Sequence, residues 1–138
     1  MDTRAGRYAG LTKRLLDAVL ATSGQTASEL RRAVLARAAR LGGRRDSGEG
    51  DTRDGVPAHL AGYVDKVALH AYTVTDEDLA ALKRAGNSDD VLFEATVSAA
   101  LGAALGRLER GLSVLRGEAS SPPDPLSTTW RGGTQDER

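Results

Sequence analysis

The sequence predicts an all-α fold, and three observations carry that prediction. Apolar residues recur at helical spacing along most of the 138-residue chain. Alternating runs of β-branched residues are missing, so the strand signal is negligible. Glycines, prolines and capping residues divide the chain into five helical segments and a polar C-terminal end. A chain of this length suits one compact domain without disulfides.

Two helices are predicted in a basic N-terminal pair, residues 1–43. The first is predicted from Ala9 to Thr22, where apolar residues follow a helical spacing. The second is expected to begin with a capping box, in which Thr26 is the N-cap and Glu29 lies three residues further on. It continues to Leu41 and ends at the two glycines that follow.

Residues 44–56 are predicted to form a mobile loop, because they are polar and offer little apolar surface to bury. Residues 57–116 are predicted to form the helical core of the domain. Its first helix starts at Pro57, which suits a first helical turn. The buried face of this third helix is expected to consist of four apolar residues: Leu60, Val64, Val67 and Ala71.

A short fourth helix and a long fifth helix complete the predicted core. Thr75 caps the fourth helix, whose first turn is acidic, and Gly86 ends it in a left-handed cap. Ser88 starts the fifth helix, which runs to about Arg116. Residues 117–138 are proline-containing and polar, and we expect a disordered tail. Trp130 in this tail is either a docking anchor or an incidental residue.

The fifth helix carries two apolar stripes. One has a 4-3-4-3 spacing typical of a core seam; it comprises Leu101, Leu105, Leu108, Leu112 and Leu115. The other contains only small residues, which permit close approach of a second backbone; it comprises Ala95, Ala99, Gly102 and Gly106. We expect the leucine seam to join the core and the small stripe to contact another subunit. Coverage of the small stripe by the first or second helix is the alternative.

The amino-acid composition excludes several classes of function. Without cysteine, the chain has no disulfide, thiolate ligand or thiol nucleophile of its own. Uninterrupted apolar runs stay well short of about 20 residues, and no signal-peptide core follows the first residues. We therefore expect no membrane span and a cytoplasmic location. The excess of Arg over Lys and the absence of Ile suggest GC-rich coding and a bacterial source.

Charge is distributed unevenly, although the net charge is zero. Residues 1–45 hold 10 Lys/Arg against 3 Asp/Glu, a balance of +7, and residues 46–138 hold 9 against 16, a balance of −7. Such asymmetry marks a binding surface, or holds two halves of a domain or two subunits together. We favour the second interpretation. Nucleic acid is not expected as a partner, because no aromatic residues interleave the basic stripe on the second helix. This stripe comprises Arg37, Arg40 and Arg44, with Arg31, Arg32 and Arg45 nearby.

Two stretches resemble one protein family. Residues Val74 to Asp90 read VTDEDLAALKRAGNSDD, and Val91 to Leu115 read VLFEATVSAALGAALGRLERGLSVL. A helix ending in Ala-Gly, a short turn and an acidic start to a long Ala-rich helix are similar to the carboxymuconolactone decarboxylase and alkylhydroperoxidase D-like family. The resemblance covers roughly Pro57 to Leu115. It implies an alkylhydroperoxidase D-like five-helix bundle and a homo-oligomer, commonly a trimer or hexamer.

The residues that the peroxidase members use are not present. Aligned on the Ala-Gly turn, the two cysteine positions of the family fall on Ala71 and Val74, the histidine position on Asp78 and the upstream glutamate position on His59. Thiol peroxidase chemistry requires a thiolate and a resolving thiol, so the resemblance implies the fold without this activity. The decarboxylase members of the family are not defined by cysteines, so decarboxylase activity stays open for this chain.

Four residues are candidates for catalysis: His59, His70, Asp78 and Glu94. Each also has a structural alternative. The two histidines, both on the third helix, could be solvent-facing. Asp78 lies three residues after Thr75 and could simply complete a capping box. Glu94 could belong to a solvated face or an intersubunit ion pair. Two histidines and no cysteine give no metal-binding pattern, and we expect no cofactor.

The sequence thus supports two functions. The first is a cysteine-less, carboxymuconolactone decarboxylase-like helical protein that acts as an oligomeric structural or binding protein. The alternative is a small-molecule decarboxylase or lyase that uses acid–base chemistry at the four candidate residues. We expect self-association through the 88–116 helix, with a small molecule as a further ligand. Convergence of the candidate side chains within hydrogen-bond reach of one another would favour the enzyme.

Overall fold

The computed structural model describes residues 3–44 and 55–117, and within these ranges the chain is all-helical. The predicted tail with Trp130, most of the predicted loop, and Arg45 lie outside the described residues. Five α-helices and one short 3₁₀ helix follow one another. They are α1 (Thr3–Leu20), α2 (Ser28–Gly42), α3 (Ala58–His70), the 3₁₀ turn (Ala71–Thr73), α4 (Asp76–Arg84) and α5 (Asp89–Leu115).

Most helix boundaries follow the capping residues. Thr75 and Asp78 form a complete reciprocal capping box at α4, and Ser88 accepts a hydrogen bond from the Val91 amide at the start of α5. Gly43 ends α2 and Gly86 follows α4, both with positive φ, a conformation that costs little without a Cβ. These predicted caps are confirmed.

The predicted capping box at α2 is wrong. Ala27 is the N-cap, and it provides no side-chain hydrogen bond to the helix. The Thr26 hydroxyl is instead bound to the carboxylate of Glu94 on α5. The first helix also differs from the prediction, because α1 begins at Thr3 rather than Ala9 and ends at Leu20.

The core forms where α2, α3 and α5 meet. One cluster of buried side chains joins all three helices and contains Val34, Ala38, Val64, Ala68, Ala99 and Ala103. A second cluster joins α3, α4 and α5 and contains Leu60, Tyr63, Leu82 and Leu92. Of the predicted buried face of α3, Leu60 and Val64 are buried, whereas Ala71 is exposed because it belongs to the 3₁₀ turn.

The small-residue stripe of α5 packs against α2 of the same chain. A Cβ on Gly102 would lie 2.2 Å from the Leu35 carbonyl oxygen, and a Cβ on Gly106 would lie 2.2 Å from the Ala39 carbonyl oxygen. The expectation that this stripe contacts another subunit is therefore wrong. Both contacts advance by four residues along each helix, so α2 and α5 run in the same direction.

The leucine seam of α5 is buried only in part. Leu105 is 9% exposed, but Leu108 is 50% exposed and Leu115 is 83% exposed. The expectation that the whole seam joins the core is wrong, because the leucines after Leu105 keep a large part of their surface exposed. By length and composition α5 could cross a membrane, but 44% of its apolar window is buried in the fold. A core helix of a soluble protein has the same composition, so this indication is weak.

Candidate functional site

A cleft of about 640 Å³ lies between α3 and α4. One face of α3 forms its long wall, and Asp78 and Leu82 of α4 form part of the opposite wall. Gly62 contributes no side chain to the α3 wall. A Cβ placed at Gly62 would have no heavy atom outside the local backbone within 4 Å, so this position faces open space. The lining residues are His59, Gly62, Tyr63, Asp65, Lys66, Leu69, His70, Tyr72, Thr73, Asp78, Ala81 and Leu82.

An ion pair joins the two walls of the cleft. Lys66 Nζ of α3 donates to Asp78 Oδ2 of α4 over 2.7 Å, and the Thr75 amide donates to the same oxygen over 2.8 Å. The hydrogen bond from Lys66, followed by that from Thr75, lowers the pKa of Asp78. Asp78 is therefore an ionised capping residue that also fixes α4 against α3.

The two histidines lie at opposite ends of the cleft. His59 is in the first turn of α3 and His70 is its last residue, and both side chains are exposed. Eleven residues of α-helix separate them, which corresponds to about 16 Å along the axis. The His70 ring meets the Tyr72 ring edge-on, with centroids 6.1 Å apart. Because of the separation, the two imidazoles cannot act on the same atom of a small ligand.

Tyr63 anchors the cleft to the core. Its hydroxyl lies 2.6 Å from Thr96 Oγ1, and Thr96 in turn donates to the Leu92 carbonyl oxygen. Since the single Thr96 proton is used in that bond, Tyr63 must be the donor to Thr96. The Tyr63 ring is buried with its polar end satisfied, so this part of the wall is rigid.

Glu94 does not line the cleft. Its carboxylate accepts hydrogen bonds from the Gln25 amide (2.6 Å), the Thr26 amide (2.8 Å) and the Thr26 hydroxyl. Burial acts to raise the pKa of Glu94, but these three bonds and the charge of Arg31 outweigh it and lower the pKa. Glu94 therefore ties the α1–α2 connection to α5, and it is not part of the proposed catalytic set.

Arginines in α2 and just after it bind partners within the chain. Arg37 forms a two-bond ion pair with Asp65 of α3, and Arg44 forms one with Glu109 of α5. Arg31 is buried and donates to the Val19 carbonyl oxygen. The two ion pairs link the basic and acidic halves of the sequence. The uneven charge distribution predicted such attraction between the two halves of one domain.

The structure places three of the four candidates, His59, His70 and Asp78, in the lining of one cleft, together with Lys66, which the sequence analysis did not identify. A stripe of polar residues at helical spacing on α3, from His59 through Lys66 to His70, was the available signal. No sequence pattern indicated that Tyr72 lies at the rim of the cleft, because its exposure depends on the 3₁₀ turn. Within the described ranges, no group of three or more metal-ligating side chains is positioned to hold a metal ion.

Comparisons with known proteins do not add to this geometry. The chain matches no family model, no curated protein and no solved structure. The resemblance to the carboxymuconolactone decarboxylase and alkylhydroperoxidase D-like family stays a prediction from the residues themselves.

Proposed function

We propose that this chain is a helical binding protein that uses the α3–α4 cleft and has no thiol peroxidase activity. One observation carries the proposal: a cleft of about 640 Å³ is lined by aromatic, ionisable and aliphatic side chains on helices that the core holds in place. Binding sites commonly combine apolar walls with a few fixed polar groups. The family resemblance is retained within this proposal as a cysteine-less, carboxymuconolactone decarboxylase-like protein.

Binding of the fluorescent probe 8-anilinonaphthalene-1-sulfonate tests whether the cleft is accessible. We expect saturable binding that Gly62→Phe weakens by about tenfold or more, equivalent to about 1.4 kcal/mol, because the added ring fills the cleft. Gly111→Phe is the matched control, since a side chain added at Gly111 also meets open space but lies on α5 outside the cleft. Equal binding by both variants would contradict the proposal.

The second candidate is an acid–base enzyme of the decarboxylase or lyase type. The observation that favours it is that His59, His70 and Asp78 line the same cleft. Asp78 is held as a carboxylate by Lys66, so a histidine would have to supply or accept the proton. Carbon dioxide release from a carboxymuconolactone tests this function. For an enzyme we expect activity to be lost in His59→Ala or in His70→Ala and to persist in Gly111→Ala.

Self-association through α5 also stays a proposal. Its small-residue stripe is covered by α2, so the exposed leucines at its C-terminal end would have to carry the contact. Sedimentation equilibrium of Leu112→Glu tests it directly. An assembly that dissociates in Leu112→Glu but not in Gly62→Phe would place the contact on α5.

A further inference from the structure

Helix α1 carries an exposed apolar stripe in the part of the chain that the structure describes. Tyr8, Leu11 and Leu15 follow a spacing of three and four residues, and each is at least 50% exposed. Leu20, at the C-terminal end of the helix, is its only buried side chain among the described residues. Anchors at this spacing are typical of a helix that binds in a groove of a partner.

The long wall of the cleft is at least as long as the apolar stripe of α1. The α1 stripe from Tyr8 to Leu15 extends over about 11 Å, and the α3 wall between the two histidines extends over about 16 Å. Leu69 and Tyr72 at the rim are 44% and 87% exposed. The cleft therefore offers unpaired apolar surface beside its floor, over a length that matches the stripe.

The charges of the two surfaces are complementary. Arg7 and Arg14 flank the exposed stripe of α1. On the other side, the first turn of α4 contains three acidic residues, Asp76, Glu77 and Asp78. Glu77 is already paired with Arg84, and Asp78 is paired with Lys66 of the cleft, so Asp76 provides the carboxylate for an arginine of α1. Opposite charges at the edges of an apolar contact favour one orientation of the two surfaces and increase the rate of their encounter.

We propose that the cleft receives helix α1 of a second copy of this chain. Each copy has one such helix and one cleft, so the exchange can be reciprocal and closes into a dimer. The inference rests on the proposed role of the cleft as a binding site, and it adds a regulatory consequence. Dimer formation covers the cleft, so self-association and binding of a small molecule compete.

Sedimentation equilibrium of the full chain over micromolar concentrations tests the contact. We expect a dimer whose dissociation constant rises by about tenfold or more in Leu11→Glu, since a charge replaces an anchor. Gly6→Glu is the matched control, because it adds the same side chain in open space on the face of α1 opposite the stripe. Circular dichroism of both variants confirms that helicity is retained.

A mixing experiment separates a helix–cleft contact from a symmetric one. Leu11→Glu has an intact cleft and Gly62→Phe has an intact α1, so each is expected to be monomeric alone and the mixture to form a heterodimer. In the wild type, binding of 8-anilinonaphthalene-1-sulfonate should weaken as protein concentration rises, whereas in Leu11→Glu it should not. This last variant also tests the cleft as a binding site independently of the dimer.

Several results would overturn the inference. A wild-type monomer at all concentrations would do so, even if the probe still binds the cleft and the proposed function stands. Dissociation by Leu11→Glu without rescue in the mixture would indicate that α1 contacts α1 instead. A monomer that co-sediments with vesicles of anionic phospholipid, and loses that binding in Leu11→Glu, would assign the stripe to a membrane surface.

Discussion

At the scale of single residues, Glu94 shows how one side chain joins distant segments. It receives two backbone amides and one hydroxyl from Gln25 and Thr26, which lie 69 and 68 positions away. These donors belong to the connection between α1 and α2, a segment with few buried side chains of its own. Without the carboxylate, the buried Thr26 hydroxyl and its amide would lack their partner.

We expect Glu94→Ala to lower the free energy of unfolding by about 1–3 kcal/mol, the cost of leaving buried donors unpaired. Urea denaturation followed by circular dichroism measures this change. Thr26→Val is the companion variant, and the double variant should cost less than the sum of the two single changes. Additive losses would show that the two side chains do not act together.

The expected absence of thiol chemistry also belongs to the residue scale. Ala71 and Val74 stand where the peroxidase members of the resembled family carry cysteines, and the chain has none elsewhere. We expect no turnover of an alkyl hydroperoxide with a dithiol reductant, measured as loss of peroxide. Robust turnover by pure protein would contradict this prediction and would require a route without thiols.

Two threonines show what the sequence could and could not predict. Thr75 and Thr26 both precede an acidic residue by three positions, and the same rule assigns both to capping boxes. The rule is right for Thr75, whose partner Asp78 is local. It is wrong for Thr26, because a carboxylate from α5 binds its hydroxyl. Local rules identify candidates, but long-range contacts decide between them.

At the scale of elements, the contact between α2 and α5 depends on glycine. Gly102 and Gly106 let the two helices approach until the α2 carbonyl oxygens lie against the α5 backbone. The sequence correctly identified this small-residue stripe as a close-packing surface. It did not identify the partner, and it assigned the leucine seam to the core, because spacing defines a face without showing what covers that face.

We expect Gly102→Ala to destabilise the fold by about 1–3 kcal/mol, the usual cost of overpacking. The loss arises because the new methyl group would lie 2.2 Å from the Leu35 oxygen. It should outweigh the gain in helix propensity of about 1 kcal/mol that replacing Gly provides. Thermal denaturation of this variant is compared with that of a matched control on the same helix.

Gly111→Ala is that control, because Gly111 is also in α5 but a methyl group added there would meet open space. It should stabilise the fold by about 0.5–1 kcal/mol through helix propensity alone. If both variants were stabilising, the two helices would have to be further apart than the structure places them. If both were destabilising, the effect could not be assigned to the α2 contact.

At the scale of the whole molecule, ion pairs connect the basic and acidic halves of the chain. Arg37 of α2 pairs with Asp65 of α3, and Arg44, just after α2, pairs with Glu109 of α5. Unequal charge in the two halves was visible in the sequence, but the pairing of particular residues was not, since it depends on how α2 packs against α3 and α5. Their partly exposed side chains make the contributions of these pairs sensitive to salt.

Acid should destabilise the fold. The Arg44 hydrogen bond lowers the pKa of Glu109, and those of Asp78 and Glu94 are also lowered. A carboxyl group with a lowered pKa in the folded state binds protons more weakly than in the unfolded chain. Its contribution is complete above the ordinary value, 4.5 for Glu, and is lost as pH falls through the folded-state pKa.

We therefore expect the urea midpoint to fall steadily as pH decreases below about 4.5, and Glu94→Gln to have a smaller dependence on pH in that range. Denaturation curves at several pH values and constant ionic strength measure both effects. His59→Gln serves as a comparison, because replacing a histidine leaves these three carboxyl groups unchanged. A flat response between neutral and acidic pH would contradict the assignment of lowered pKa values.

The close packing of α2 on α5 also has a consequence for biosynthesis. Leu35 and Gly102 touch, yet 67 residues separate them in the chain. At a synthesis rate of about 5–20 residues per second, about 3–13 s pass between the synthesis of Leu35 in α2 and that of Gly102 in α5. During that time a 15-residue helix has too few internal contacts to be stable alone. The nascent N-terminal half therefore emerges from the ribosome with the α5-facing side of α2 uncovered, and folding of the domain is delayed until α5 follows.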